Sequence, residues 1–90
     1  MTKSNARVVV YIKAYCAFSR AAQELLKQRG IPFEAIDVTN DPKTRAELAE
    51  RAYGRRTLPV IFIDGKAVGG YQELASLVRL GKLADMARAA

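Results

Sequence analysis

The sequence predicts one α/β domain over residues 1–90 in the order β-α-β-α-β-β-α, and three observations carry that prediction. Short β-branched runs alternate with segments of helical period. An Asp-Gly dipeptide separates the last two apolar runs, and a complete helical segment separates the first two. A helical crossover makes the first two strands parallel, whereas a two-residue Asp64-Gly65 turn makes the last two antiparallel. The expected architecture is a four-stranded mixed sheet with helices on both faces.

Each element follows from local chemistry. Val8-Val9-Val10-Tyr11-Ile12 is a short apolar run bounded by polar residues, which reads as a buried central strand. From Ala17 to Arg29 apolar residues recur at Phe18, Ala22, Leu25 and Leu26, the period of an amphipathic helix. Gly30 and Pro32 then stop it. Phe33 to Val38 is a second strand. Asp41 is suited to cap a second helix that has Pro42 at its first position and carries Arg45, Leu48, Ala49, Ala52 and Tyr53 at helical spacing before Gly54. Val60 to Ile63 and Lys66 to Val68 form the hairpin. From Gly70 a last helix turns Tyr71, Leu74, Leu77 and Val78 toward the core, and Gly81 precedes a short terminal helix from Lys82.

Composition narrows the function classes. At 50% hydrophobic and 27% charged the chain has the makeup of a soluble globular domain, and its one cysteine cannot form an internal disulfide. That fits a reducing compartment, with the cytoplasm as the expected location. No run is long enough to span a membrane, and Met1 to Arg7 lacks the apolar core of a signal peptide. A net charge of +6 invites a nucleic-acid reading, but the basic residues are scattered from Lys3 to Arg88 without a block or an aromatic stripe, so neither nucleic acid nor membrane is an expected partner.

The most informative residue is Cys16, which stands between the first strand and the first helix in Tyr15-Cys16-Ala17-Phe18-Ser19. A helix N-terminus offers unused backbone N–H groups and the positive end of the macrodipole, and both favour a thiolate. Lys13 and Arg20 add positive charge on either side. These features make Cys16 a candidate nucleophile for thiol chemistry.

With these residues in place, the chain resembles the glutaredoxins, thioredoxin-fold thiol–disulfide oxidoreductases that use glutathione. The resemblance rests on the strand ending in Lys13, the turn Tyr15-Cys16-Ala17-Phe18-Ser19, Thr57-Leu58-Pro59 before a strand, Phe62-Ile63-Asp64-Gly65, and Gly69-Gly70, all in family order and spacing. It implies a thioredoxin-like fold with Cys16 as the catalytic residue, supported by Tyr15, Ala17, Phe18 and Ser19. It also implies a cis-proline at Pro59, with Thr57 and Leu58 offering main-chain groups to the cysteine of glutathione. Lys13 and Arg45 would engage the glycine carboxylate, with Tyr15 lining the same side. Gly70, Tyr71 and Gln72, at the start of the last helix, would take the γ-glutamyl end. Lys13 also reads as a solvated strand end, and Arg45 as an ordinary helix-surface residue.

Three departures from the common family pattern shape the expected activity. Ser19 stands where dithiol members carry a second cysteine, so an intramolecular disulfide is excluded and a monothiol cycle remains. Its hydroxyl either hydrogen-bonds the Cys16 thiolate or caps the turn, and spacing does not choose. Ala17 replaces the usual proline, which brings Cys16-Ala17-Phe18-Ser19 close to the Cys-Gly-Phe-Ser signature of iron–sulfur carrying relatives. The compact loop after Lys13 and the absence of tryptophan match the dithiol class instead. Finally, Gln72 stands where many members place an Asp facing the glutathione amine, and it brings hydrogen-bonding capacity without charge.

Two leading function classes follow. One is glutathione-dependent reduction of mixed disulfides, with glutathionylated proteins or small disulfides as partners, no metal, and a monomer as the working unit. The alternative is a carrier in which Cys16 from each of two subunits and two glutathione molecules ligate a [2Fe-2S] cluster. A third is a module that binds glutathione or a partner without turnover.

Overall fold

The computed structural model describes residues 8–52 and 57–82. It contains β1 (Val8–Ile12), α1 (Ala17–Gln28), β2 (Glu34–Asp37), α2 (Pro42–Arg51), β3 (Val60–Ile63), β4 (Lys66–Gly69) and α3 (Tyr71–Arg79), in the expected order. Tyr53, Gly54 and the terminal helix expected beyond Lys82 fall outside the described residues.

The strands form one sheet in the order β2-β1-β3-β4. β1 pairs parallel with β2 and antiparallel with β3, and β3 pairs antiparallel with β4. This is the mixed sheet the sequence predicts, with the β-branched run at its centre. Asp64 and Gly65 both adopt positive φ, 52° and 79°, the pairing that matches a tight turn to the twist of its strands.

Because successive strand residues point to opposite faces, β1 and β3 feed two cores. Val8, Val10, Ile61 and Ile63 pack with Ala22, Leu26, Ile31 and Leu74, so α1 and α3 cover one face. Val9, Tyr11, Val60 and Phe62 pack with Val38, Leu48 and Ala52, which puts α2 on the other. On that second face Tyr11 meets Phe62 edge to face, with centroids 5.6 Å apart. The Arg51 guanidinium lies 4.6 Å from the centre of the Phe62 ring and donates to the Gly65 carbonyl.

The helix ends follow the signals in the sequence. Ile31 N–H donates to the Leu26 carbonyl and Gly30 N–H to that of Lys27, with Gly30 at φ 68°. This pair of bonds needs a left-handed residue at Gly30 and draws Ile31 into the core beside Leu26. At α2, the Asp41 carboxylate accepts from both the amide and the hydroxyl of Thr44, as the capping prediction requires.

Two expectations are corrected. The second strand is shorter than Phe33–Val38, although Val38 stays buried and its N–H still donates to the Ile12 carbonyl. β2 is an edge strand, and its residues alternate between half-buried and exposed. Phe18, which the helical period groups with Ala22 and Leu26, is 57% exposed. Helical side chains lean toward the N-terminus, and Phe18, at the second position of α1, overhangs the helix end instead of reaching the core. Among the described residues no helix is long and apolar enough to cross a membrane.

Candidate functional site

Cys16 is the N-cap of α1, in extended conformation at φ −112° and ψ 115°. The loop delivering it from β1 is held at two points. Ala14 N–H donates to Thr39 Oγ1 at 2.8 Å, and Lys13 N–H reaches Ser19 Oγ at 3.4 Å. Just after these anchors Tyr15 takes a left-handed φ of 59° with its side chain fully exposed. A non-glycine residue held there is strained, and such strain persists only where its surroundings enforce it.

The sequence sets Ser19 beside Cys16 but does not foretell its burial. Ser19 lies 2% exposed on the inner side of α1, and its oxygen already accepts from Lys13. A hydroxyl that accepts from an amide keeps its own proton free to donate. Burial by itself raises the pKa of the Cys16 thiol, but hydrogen bonds from the Ser19 hydroxyl, the Ser19 amide and the Phe18 amide outweigh it. With the charge of Lys13 added, the thiol sits below its ordinary value. Ser19 thus takes part in both roles open to it in the sequence: its oxygen ties the turn by accepting the Lys13 amide, and its hydroxyl favours the thiolate.

Ser19→Ala is therefore expected to raise the Cys16 pKa. Reactivity toward iodoacetamide rises with pH as thiolate forms, so the profile of the variant shifts to higher pH and its rate at neutral pH drops. An unshifted profile would remove Ser19 from the electrostatics of the sulfur.

Cys16 faces the segment before β3. Its Sγ donates a long hydrogen bond, 3.7 Å, to the Leu58 carbonyl, and the Leu58–Pro59 peptide bond is cis. Beside this contact opens a cleft of about 320 Å³ lined by Phe18, Thr57, Leu58, Pro59, Gly70, Tyr71, Gln72 and Glu73, within the size range of small-molecule sites. Phe18 on one wall and Tyr71 on the other bring their rings to 5.9 Å. At its far end lies the N-terminus of α3, whose first amides have no partner within the helix.

The fold thus gathers Cys16, Phe18, Thr57, Leu58, Pro59, Gly70, Tyr71 and Gln72 at one end of the sheet. Lys13 is exposed and close enough to Cys16 for its charge to act on the thiol. Ala17 is exposed beside the thiol. Tyr15 lines a separate groove with Ala14, Asp37, Thr39, Asn40 and Asp41. Arg45 is exposed on α2 and is not among the residues lining the cleft. Glu73 is a cleft residue to which the sequence assigns no defined place. Its signal was its position three residues after the helix cap, where a glutamate can fold back on the cap amide.

The chain is similar to known proteins in sequence and in fold. The family model described as glutaredoxin matches residues 8–68. A glutaredoxin of Pseudomonas aeruginosa is 42% identical over 76 residues, covering 84% of this chain and 89% of its own length. Among solved structures, wheat glutaredoxin superposes with a TM-score of 0.87 at 36% identity, over 96% of this chain and 83% of its own. A buckwheat glutaredoxin–glutathione complex gives 0.83 at 31%, over 89% and 74%. The sheet order and three helices are therefore the thioredoxin-like fold as glutaredoxins build it, and the chain belongs to the glutaredoxin family.

Proposed function

We propose that this protein is a glutathione-dependent thiol–disulfide oxidoreductase that works through Cys16 by a monothiol cycle. The observation that carries the reading is the placement of Cys16, a thiol of lowered pKa, 3.7 Å from the Leu58 carbonyl at the head of the cleft. Family membership supports glutathione as co-substrate, as does the likeness to a glutaredoxin solved with glutathione bound.

In the first step Cys16 thiolate attacks the glutathione sulfur of a mixed disulfide. The bond between Cys16 and glutathione sulfur forms, the substrate's disulfide breaks, and its sulfur leaves as a thiolate that takes up a proton. In the second step a free glutathione thiolate attacks the glutathione sulfur now on Cys16. Oxidised glutathione leaves and the Cys16 thiolate returns, so each turnover consumes one free glutathione thiol, and the other half of the oxidised glutathione is the group removed from the substrate. No step calls for a second protein thiol. Thr57, Leu58 and Pro59 would orient the glutathione cysteine, and the amides at the start of α3 would receive its γ-glutamyl carboxylate. Lys13, Tyr15 and Arg45 are the remaining candidates for the glycine carboxylate, with Arg45 the least favourably placed.

The exposed Ala17 favours a second reading, in which an open approach to the sulfur serves cluster ligation. The chain would then supply one of four thiolates, and a second copy with two glutathione molecules would supply the rest. One anaerobic preparation separates the two. The oxidoreductase is expected to be colourless and iron-free and to reduce a glutathionylated peptide at the expense of glutathione. A brown dimer with stoichiometric iron, bleached on removing glutathione, would overturn that reading in favour of the carrier. A colourless chain inert toward the peptide would leave a binding module.

A further inference from the structure

The start of α3 carries a contact that the catalytic cycle leaves unused. Gly70 caps the helix at φ −104° and ψ −156°, and its N–H donates to Glu73 Oε1 at 2.6 Å. A glutamate at the third helical position reaching back to the cap amide is one half of a capping box. The other half requires a cap side chain, and Gly70 has none.

The folded-back glutamate also accounts for the preceding glycine. A Cβ on Gly69 would lie 2.6 Å from Glu73 Oε1, 2.7 Å from its Cγ and 2.9 Å from its Cδ. Gly69 further adopts a φ of 122°, which side-chain-bearing residues rarely take. Gly69 and Glu73 therefore form a matched pair, because the carboxylate occupies the space a residue-69 side chain would need. Both Gly70 and Glu73 line the cleft beside Cys16.

We propose that Glu73 is a positioning residue for glutathione. Its carboxylate takes the Gly70 N–H out of the set of donors open to ligand and pins the Gly69-Gly70 turn. The amides of Tyr71 and Gln72 are thereby fixed as the pair that receives the γ-glutamyl carboxylate. The proposal rests on the glutathione reading above and adds a determinant to it, acting through backbone it holds and not through contact with the reacting sulfurs.

Steady-state kinetics of Glu73→Ala, Glu73→Asp and Glu73→Gln test it, with a thermal melt of each to establish folding. Asp keeps the charge but is one methylene too short to reach Gly70, whereas Gln keeps the reach and an accepting oxygen. The expected result is a rise of about five- to tenfold in the KM for glutathione for Ala and Asp, the scale of one lost capping bond, with kcat and the Cys16 pH profile unchanged. Gln stays within about twofold of wild type, a rescue that a purely electrostatic role would not produce.

The amide resonance of Gly70 reads the latch without reference to activity. It is expected to sit at the same shift in wild type and Glu73→Gln and to move upfield in the Ala and Asp variants. Unchanged KM values in Ala and Asp, or equal losses in kcat and kcat/KM, would overturn the proposal while leaving an active wild type and the oxidoreductase reading intact. A wild type without glutathione turnover would instead remove that reading, and the Gly70 resonance would still decide whether the latch exists.

Discussion

Cys16→Ser is expected to abolish glutathione-dependent turnover while leaving the fold at least as stable as wild type. Serine oxygen cannot form the mixed disulfide through which the proposed cycle passes, so the rate falls to that of glutathione alone in solution. The stability half of the expectation comes from the helix cap. Cys16 is the N-cap of α1, where the Phe18 and Ser19 amides meet a sulfur instead of an oxygen, and a serine oxygen is among the best N-caps, worth about 0.5–2 kcal/mol over residues that cannot cap. A coupled assay with a glutathionylated peptide checks the first half and a urea titration the second. Residual turnover well above the solution rate would move the chemistry away from Cys16. A collapse in stability would mean that the sulfur, and not a cap oxygen, holds the turn.

The largest effect on stability is expected from Leu26→Ala. Leu26 is fully buried among Val8, Val10, Ala22, Ile61, Ile63 and Leu74, where α1, α3 and the sheet meet. It also accepts the Ile31 amide in the bond that ends α1. Truncation of such a side chain costs about 2–5 kcal/mol, a large share of the roughly 5–15 kcal/mol that holds a domain of this kind. Leu80→Ala serves as the control. Leu80 is 64% exposed, and its loss is expected to stay within about 0.5 kcal/mol. Urea midpoints for the two variants settle the comparison, and similar midpoints would place the core elsewhere.

The parts of the structure legible in the sequence are those decided by a few neighbouring residues. The strand at Val8–Ile12, the cap at Asp41, the stop at Gly30 and the turn at Asp64-Gly65 each depend on side-chain or backbone chemistry within a turn or two. The parts that were not legible depend on where an element ends in space. Helical spacing counts Phe18 with the core, but Phe18 sits at the open end of α1 and becomes a cleft wall facing Tyr71. Ser19 reads as a polar first-turn residue, yet the inward face of α1 and the returning Lys13 amide enclose it. The left-handed backbone of Tyr15 has no local cue, since neither glycine nor asparagine stands there.

For the site itself, spacing located the thiol, the Thr57-Leu58-Pro59 segment and the start of α3, because each lies next to a recognisable strand or helix boundary. It did not separate Arg45 on its own helix surface from Lys13 near the sulfur, since charge alone carries no direction. Nor did it show that Glu73 folds back onto Gly70, a contact that requires Gly69 to lack a side chain.

The irregularity between β3 and β4 bears on how this chain tolerates change. Ile61 pairs with Gly69 and its neighbour Phe62 with Ala67, so Val68 is an extra residue that the partner strand does not match. Val68 packs on the α1 and α3 side and Ala67 on the α2 side. The approach to Gly70 is therefore set by parity, an odd or even number of residues along β4. The Asp64-Gly65 turn, at the opposite end of the hairpin, can change length without disturbing that parity. Losing Val68 would instead leave Ile61 opposite the same glycine in a regular ladder and remove the bend with which β4 delivers Gly70 to α3.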